Sequence, residues 1–64
     1  MSYIRECRKK KNMSQQDVAT AMGVTQSMVA KWEKGVNYPA VELLIKLSDL
    51  FGCTIDELVR GERK

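Results

Sequence analysis

Apolar residues recur at helical spacing along most of the chain, and no stretch alternates apolar and polar positions as a strand does. Ser14 and Thr54 each precede such a pattern and are followed three residues later by an acid, as at capped helix starts. Pro39 suits the first turn of another helix. We therefore predict an all-α fold, a compact five-helix bundle, with helices at about residues 2–11, 15–22, 26–34, 40–51 and 55–60.

The inward faces of these helices define a candidate core. Its predicted members are Ile4, Cys7, Val18, Ala19, Met22, Val29, Trp32, Leu43, Leu44, Leu47, Phe51, Ile55, Leu58 and Val59, with Met13 and Val24 filling the turns. Trp32 shares a face with Val29, which favours a core position over stacking on a nucleobase. Val41 and Ile45 lie off this core side, and are either ordinary exposed apolar residues or a self-association patch.

Size and charge restrict the class of protein. With 64 residues the chain has room for one domain, residues 1–64, and for one small core. No apolar run approaches the ~20 residues that cross a bilayer, and charges follow the first residues too soon for a signal peptide. We expect a cytoplasmic protein without a membrane partner. The net charge of +3 is compatible with a polyanionic partner, as is the basic run from Arg8 to Lys11.

The chain has few residues that perform chemistry. It has no histidine, and Cys7 and Cys53 are far apart in sequence, so we expect no metal site and no cofactor. Both cysteines are predicted to be small buried apolar residues. The chain also has no Gly-rich phosphate loop and no carboxylate pair in a plausible cleft, so we expect neither an enzyme nor a small-molecule binding protein.

A tight turn joins the second and third predicted helices. Gly23 stands where the second helix must stop and reverse, which requires the left-handed backbone that glycine adopts easily. Thr25 then caps the third helix through its hydroxyl. Two helices joined by a short Gly-containing turn form the helix-turn-helix arrangement.

The third helix has an outward polar face. On a helical wheel, Ser27, Lys31 and Lys34 fall opposite Val29, with Ala30 near the centre of the outward side and Gln26 at its edge. A glutamine amide both donates to and accepts from an adenine edge, and a lysine donates to guanine. The candidate base-reading residues are therefore Gln26, Ser27, Ala30 and Lys31. An ordinary solvated helix face would have the same composition.

Several short motifs together resemble the phage repressor and Cro type of helix-turn-helix regulator, also called the xenobiotic-response-element family. They are Ile4-x-x-Cys7-Arg8, Met13-Ser14-Gln15-x-x-Val18-Ala19, Met22-Gly23-Val24-Thr25-Gln26, Val29-x-x-Trp32-Glu33-x-Gly35, Pro39 and Leu43-x-x-x-Leu47. The resemblance implies a lambda-repressor-like DNA-binding domain that reads the major groove of double-stranded DNA with its third helix.

The resemblance also implies roles for individual residues. Gln15 matches a family glutamine that anchors a DNA phosphate and braces the base-reading residue, here Gln26. The full set of implied phosphate contacts is Ser14, Gln15, Lys34 and Asn37. Arg8 and Glu33 match an ion pair that fastens the first helix to the end of the third. Met28 departs from the family pattern, and is expected either at the edge of the groove or against the second helix.

The function that these observations indicate is a sequence-specific transcriptional regulator, a repressor that binds its operator as a homodimer. Two-fold pairing would place two reading helices about one turn of DNA (~34 Å) apart. The alternative is a protein-interaction module on the same fold, such as an antitoxin or an antirepressor partner.

Overall fold

The chain folds into five α-helices without a strand over residues 2–61, the part that the computed structural model describes. The helices are α1 (Ser2–Lys10), α2 (Gln15–Met22), α3 (Gln26–Lys34), α4 (Val41–Phe51) and α5 (Ile55–Arg60). The predicted all-α class and all five predicted helices are confirmed. Two boundaries differ by one residue, at the end of α1 and at the start of α4.

Local backbone chemistry explains both differences. Asn12 adopts a left-handed backbone with φ 56°, and the Met13 N–H donates to the Arg8 carbonyl at 3.0 Å, which closes α1 after Lys10. At α4, Ala40 is still extended with ψ 163°, and its carbonyl accepts the first bonds of the helix. Pro39 therefore precedes the helix instead of occupying its first turn, and its side chain is buried.

Two helix starts carry reciprocal caps. The Ser14 hydroxyl accepts from the Asp17 N–H at 3.0 Å, and the Asp17 carboxylate accepts from the Ser14 N–H at 2.9 Å. Thr54 and Glu57 repeat the arrangement at α5. Such caps satisfy N–H groups that have no partner inside the helix. They explain why the S/T-x-x-D/E pattern located both helix starts.

The core agrees with the apolar pattern, with corrections at its edges. Besides Pro39, the buried apolar residues are Tyr3, Ile4, Cys7, Val18, Ala19, Met22, Val29, Trp32, Leu47, Phe51 and Leu58. Tyr3 was not predicted, although it precedes Cys7 by one helical turn. Ile55 and Val59 were predicted to be buried but are 37% and 61% exposed, because the short α5 faces the core along a single line through Leu58.

Half-buried residues surround this core, among them Leu43, Leu44, Met13, Val24 and Cys53. α1 packs on α3 and α5, and α4 packs on α2 and α5.

No helix within residues 2–61 is both long enough and apolar enough to cross a membrane.

The packing of α2 on α3 positions the candidate site. Gly23, with φ 72°, ends α2 by donating to the carbonyls of Ala19 and Thr20. Val24 donates to the Ala19 carbonyl at 3.0 Å, and Thr25 caps α3 through its hydroxyl. The turn therefore has the local structure that the sequence predicted, and it sets the angle at which α3 leaves α2.

Candidate nucleic-acid interface

α3 has a sharply divided surface. Val29 and Trp32 are buried on one side of the helix. Gln26, Ser27, Lys31 and Lys34 are exposed on the other. Ala30 is half-buried, so it lies at the border between the exposed face and the neighbouring helices, and not at the centre of the face. The exposed face therefore carries an amide, a hydroxyl and two ammonium groups, which offer both hydrogen-bond donors and acceptors.

A series of hydrogen-bonded polar side chains connects this face to the interior. The Gln26 side-chain amide donates to Gln15 Oε1 at 3.4 Å, and Gln15 Nε2 donates to Glu33 Oε1 at 3.2 Å. Gln15 thus stands between the N-terminal end of α3 and the last turn of the same helix. The structure brings together the two glutamines that the family resemblance paired.

This series of hydrogen-bonded side chains leads to an ion pair between α1 and α3. Arg8 Nε donates to Glu33 Oε2 at 2.7 Å, and Arg8 Nη2 donates to Glu33 Oε1 at 3.2 Å. Arg8 Nη1 also donates to the Met13 carbonyl at 3.0 Å. The side chains of Arg8 and Glu33 are only 12% and 6% exposed, so the pair is largely shielded from water. It fastens α1 and the loop after it to the C-terminal half of α3.

The local environment shifts the titration of both partners. Burial raises the pKa of Glu33, but hydrogen bonds from Arg8 and Gln15 and the charges of Arg8 and Arg5 outweigh it. The pKa of Glu33 therefore lies below its ordinary value of 4.5. The hydrogen bond to Glu33 raises the pKa of Arg8, although burial opposes the shift. Both groups are charged at neutral pH.

The start of α2 offers backbone donors. Hydrogen bonds from Ser14 lower the pKa of Asp17, whose carboxylate engages both the backbone and the side chain of Ser14. Both the hydroxyl and the N–H of Ser14 therefore form the cap of α2. The N–H of Gln15, the first helical residue, has no acceptor within the helix, since the first N–H groups of any helix lack one. This N–H is the donor that the first turn of α2 can direct at an anion.

The loop after α3 holds two further residues named by the sequence. Asn37 is exposed, and its side-chain amide approaches Met28 Sδ at 3.9 Å. This contact places Met28 beside the loop that follows α3, and its side chain stays 36% exposed. Lys34, the last residue of α3, is exposed near the same loop.

Arg5 is a residue of this surface that the sequence analysis missed. A hollow of about 220 Å³ lies between α1, α2 and α3. Its lining includes Arg5, Gln15, Ala30 and Lys34. Arg5 lies one turn before Arg8 on α1, and this spacing was the available signal. Since Arg8 compensates Glu33, the cations Arg5, Lys31 and Lys34 give this side of the molecule a positive charge.

Comparison with known protein families identifies the fold. A family model described as helix-turn-helix matches residues 4–58. A transcriptional regulator of Bacillus subtilis, AnsR, is 43% identical over 64 residues, covering 100% of this chain and 55% of that protein. The transcriptional activator BcrR of Enterococcus faecalis is 39% identical over 59 residues, covering 92% of this chain and 29% of that protein. The chain thus spans about half, or less, of the length of these relatives.

One of the solved structures with this fold includes DNA. The P22 c2 repressor, crystallised in complex with a synthetic operator, matches with a TM-score of 0.86 and 32% sequence identity. The match covers 92% of this chain and 89% of the repressor chain. This chain therefore shares its arrangement of helices with a repressor whose structure was solved in complex with a synthetic operator.

Proposed function

Because this chain belongs to the helix-turn-helix family of DNA-binding transcriptional regulators, we propose that it binds an operator by inserting α3 into the major groove. The observation that carries this proposal is the exposed polar face of α3, whose Gln26 is held in place by Gln15. Occupancy of the operator then represses transcription by excluding polymerase. The match to a repressor in complex with its operator supports this mechanism.

The base contacts come from the exposed face of α3. Gln26 lies at the N-terminal end, and its amide is suited to the paired donor and acceptor of adenine. Ser27 bonds either kind of group, and Lys31 donates to guanine. Ala30, at the border of this face, has a methyl side chain short enough to allow close approach to the DNA. The hydrogen bond from Gln26 to Gln15 limits the conformations of Gln26 before binding, which reduces the entropy lost on contact.

The phosphate contacts surround this face. The first turn of α2, capped by Ser14, directs the Gln15 N–H at one phosphate. Lys34 and Asn37 contact the backbone beyond the other end of α3. These contacts fix the register of the protein on the duplex but carry no sequence information. They make the affinity depend on salt, because each neutralised phosphate releases condensed counterions.

Replacing Lys31 and replacing Lys34 should have different effects on DNA binding. We expect Lys31→Ala to relax the preference at one position of the operator by about tenfold, because a base contact is lost. Lys34→Ala should weaken binding to all sequences alike and reduce the slope of log affinity against log salt by about 1. The operator would be selected from random DNA, and fluorescence anisotropy at several salt concentrations would measure both effects.

Lys46→Ala is a matched control, since Lys46 is an exposed lysine on α4. It should leave base preference unchanged. Equal affinity of the parent chain for selected and for random DNA would contradict sequence-specific binding. If Lys31→Ala kept the parent's preference at every position, the assignment of α3 as the reading helix would be wrong.

We further propose that the chain binds DNA as a homodimer through an apolar face. This face consists of Tyr38, Val41, Leu44, Ile45 and Val59. Tyr38, Leu44 and Val59 line a hollow of about 260 Å³, and Tyr38 is 73% exposed. Val41 and Ile45, the patch that the sequence suggested, continue the surface along α4 and are also exposed. Several large apolar side chains grouped on a small domain favour a protein contact.

A charge placed in the apolar face should separate the dimer. We expect Val41→Lys to raise the dimer dissociation constant at least tenfold, since a lysine would be buried without a partner. Ala21→Lys adds the same charge on the exposed side of α2 and should leave it unchanged. Analytical ultracentrifugation over a concentration series measures both. A parent chain that sediments as a monomer throughout, or two variants that behave alike, would argue against this interface.

A further inference from the structure

The fold brings together two cysteines from opposite ends of the sequence. Cys7 lies on α1, and Cys53 follows α4. Both residues line one hollow of about 440 Å³, and Cys7 is near enough to Cys53 to contribute to the raised pKa of the Cys53 thiol. Cys7 is buried as predicted, whereas Cys53 is only half-buried. The prediction of two small buried apolar residues therefore holds for Cys7 but not fully for Cys53. The spacing in sequence did not indicate that the two residues share one hollow.

Backbone structure fixes the position of each thiol. Cys7 belongs to a regular helix whose face, with Tyr3 and Ile4, is buried. Gly52 ends α4 with φ 66°, and the Cys53 N–H donates to the Ser48 carbonyl at 3.1 Å. This is a closed helix end, with both residues after the helix bonded back to it. The helices therefore hold both cysteines at the same hollow.

The hollow gives a small reagent access to the pair. It is open at the surface, and Lys10 and Lys11 contribute to its lining together with Glu57. The two lysines favour an anionic reagent, since opposite charges concentrate it at the opening. Cys53 is the more exposed of the two thiols, so it is the first that such a reagent meets.

We propose that Cys7 and Cys53 form an oxidative modification site, which a small anionic disulfide such as oxidised glutathione converts to an intramolecular disulfide. The Cys53 thiolate attacks one sulfur of the reagent, whose S–S bond breaks and releases one reduced thiol. The Cys7 thiolate then attacks the Cys53 sulfur of the mixed disulfide and displaces the second reduced thiol. Two electrons pass from the protein to the reagent, and the two protein thiol protons end on its two products.

The surroundings make this reaction dependent on pH. Burial raises the pKa of Cys53 to about 11, with further contributions from Cys7 and Glu57. The other ionisable groups that line the hollow are Tyr3, Lys10 and Lys11. Only the thiolate attacks, so the pair stays reduced for long at neutral pH. The rate should rise about tenfold for each unit of pH between about 7 and 9, since the thiolate fraction rises by that factor.

The test is treatment of the chain with oxidised glutathione, followed by mass spectrometry. We expect the parent to lose two hydrogen atoms, and its peptide digest to contain a Cys7–Cys53 cross-link. Cys53→Ala, which changes a half-buried position, should give no such cross-link. A parent that remains a dithiol at pH 9, or that yields only mixed disulfides or cross-linked dimers, would overturn the proposal.

The melting temperature gives a second readout that does not depend on any variant. A cross-link between distant positions restricts the unfolded chain, so oxidation should raise the melting temperature by about 10 °C or more. A lower melting temperature after oxidation would mean that the fold does not accommodate the disulfide, and would contradict the proposal. Neither measurement involves DNA, so the result stands apart from the proposed regulatory function.

Discussion

Replacing Glu33 with alanine should lower the free energy of unfolding by about 3 kcal/mol, because it strands the Arg8 guanidinium in a largely buried position. The side chain of Arg8 is only 12% exposed, and within residues 2–61 Glu33 is the one carboxylate that bonds to it. A single core of this size supplies only about 3–5 kcal/mol in total. The variant should therefore be close to unfolding at room temperature, as measured by urea titration of the fluorescence of Trp32, the only tryptophan.

Two controls separate the stranded charge from the loss of a contact. Arg60→Ala removes an exposed ion pair with Asp56 and should cost no more than about 0.5 kcal/mol. The double replacement Arg8→Met with Glu33→Leu removes both charges together and should recover most of the stability. If the double variant instead loses as much stability as Arg8→Met alone and Glu33→Leu alone lose together, the cost does not come from the stranded charge.

The pH dependence of stability gives an independent check on Glu33. Because its pKa is lower in the folded chain than the ordinary 4.5, its stabilising contribution is complete above pH 4.5. The contribution is lost as the pH falls through the folded pKa, since the unfolded chain then binds the proton more readily. Glu33→Gln should therefore flatten the loss of stability below pH 4.5. If the free energy of unfolding of Glu33→Gln falls as steeply below pH 4.5 as that of the parent, other carboxylates cause the loss.

Secondary structure was predictable from the sequence because helix ends are local events. The capping residues Ser14, Thr25 and Thr54, and the glycine that follows each of the helices α2 to α5, fix boundaries through bonds within a few residues. The error at the end of α1 has the same origin. Asn12 adopts the left-handed conformation usually taken by glycine, and nothing in its neighbours indicates this.

The burial of a side chain was predictable only where the pattern of one helix face determines it. Val29 and Trp32 are buried because they share a face. Ile55 and Val59 are exposed because α5 is too short for its pattern to define a direction. Contacts between distant residues follow from packing that no spacing encodes. The Cys7–Cys53 pair was therefore missed, and the Arg8–Glu33 pair was implied only by the resemblance to a family.

Gln15 links the stability of the fold with the proposed recognition of DNA, because it bonds to a residue at each end of α3. Gln15 contacts Gln26 on the candidate reading face, and also Glu33 of the buried ion pair. A replacement at Gln15 therefore affects both the orientation of Gln26 and one hydrogen bond to a shielded carboxylate. The last turn of α3 needs the ion pair to stay in place, whereas its first residues need the bracing amide. The small domain uses one side chain for both requirements.

Replacing Trp32 with alanine should leave the chain largely unfolded at 25 °C. Trp32 is 1% exposed and is among the largest fully buried side chains. Its truncation costs about 3–5 kcal/mol, which equals the whole stability that a core of this size provides, about 3–5 kcal/mol. Far-UV circular dichroism should show the loss of helix directly. A cooperative melt close to that of the parent would contradict a central role for Trp32 in the core.

Trp32→Phe distinguishes this structural role from a direct contact with DNA. Phenylalanine keeps an aromatic ring in the core, so the variant should fold with a reduced melting temperature. Because Trp32 lies on the opposite side of α3 from Lys31, the folded variant should bind the selected operator with the parent's base preference. A loss of affinity at a temperature where the variant is fully folded would mean that Trp32 reaches the DNA. The division of α3 into a buried face and a reading face would then be wrong.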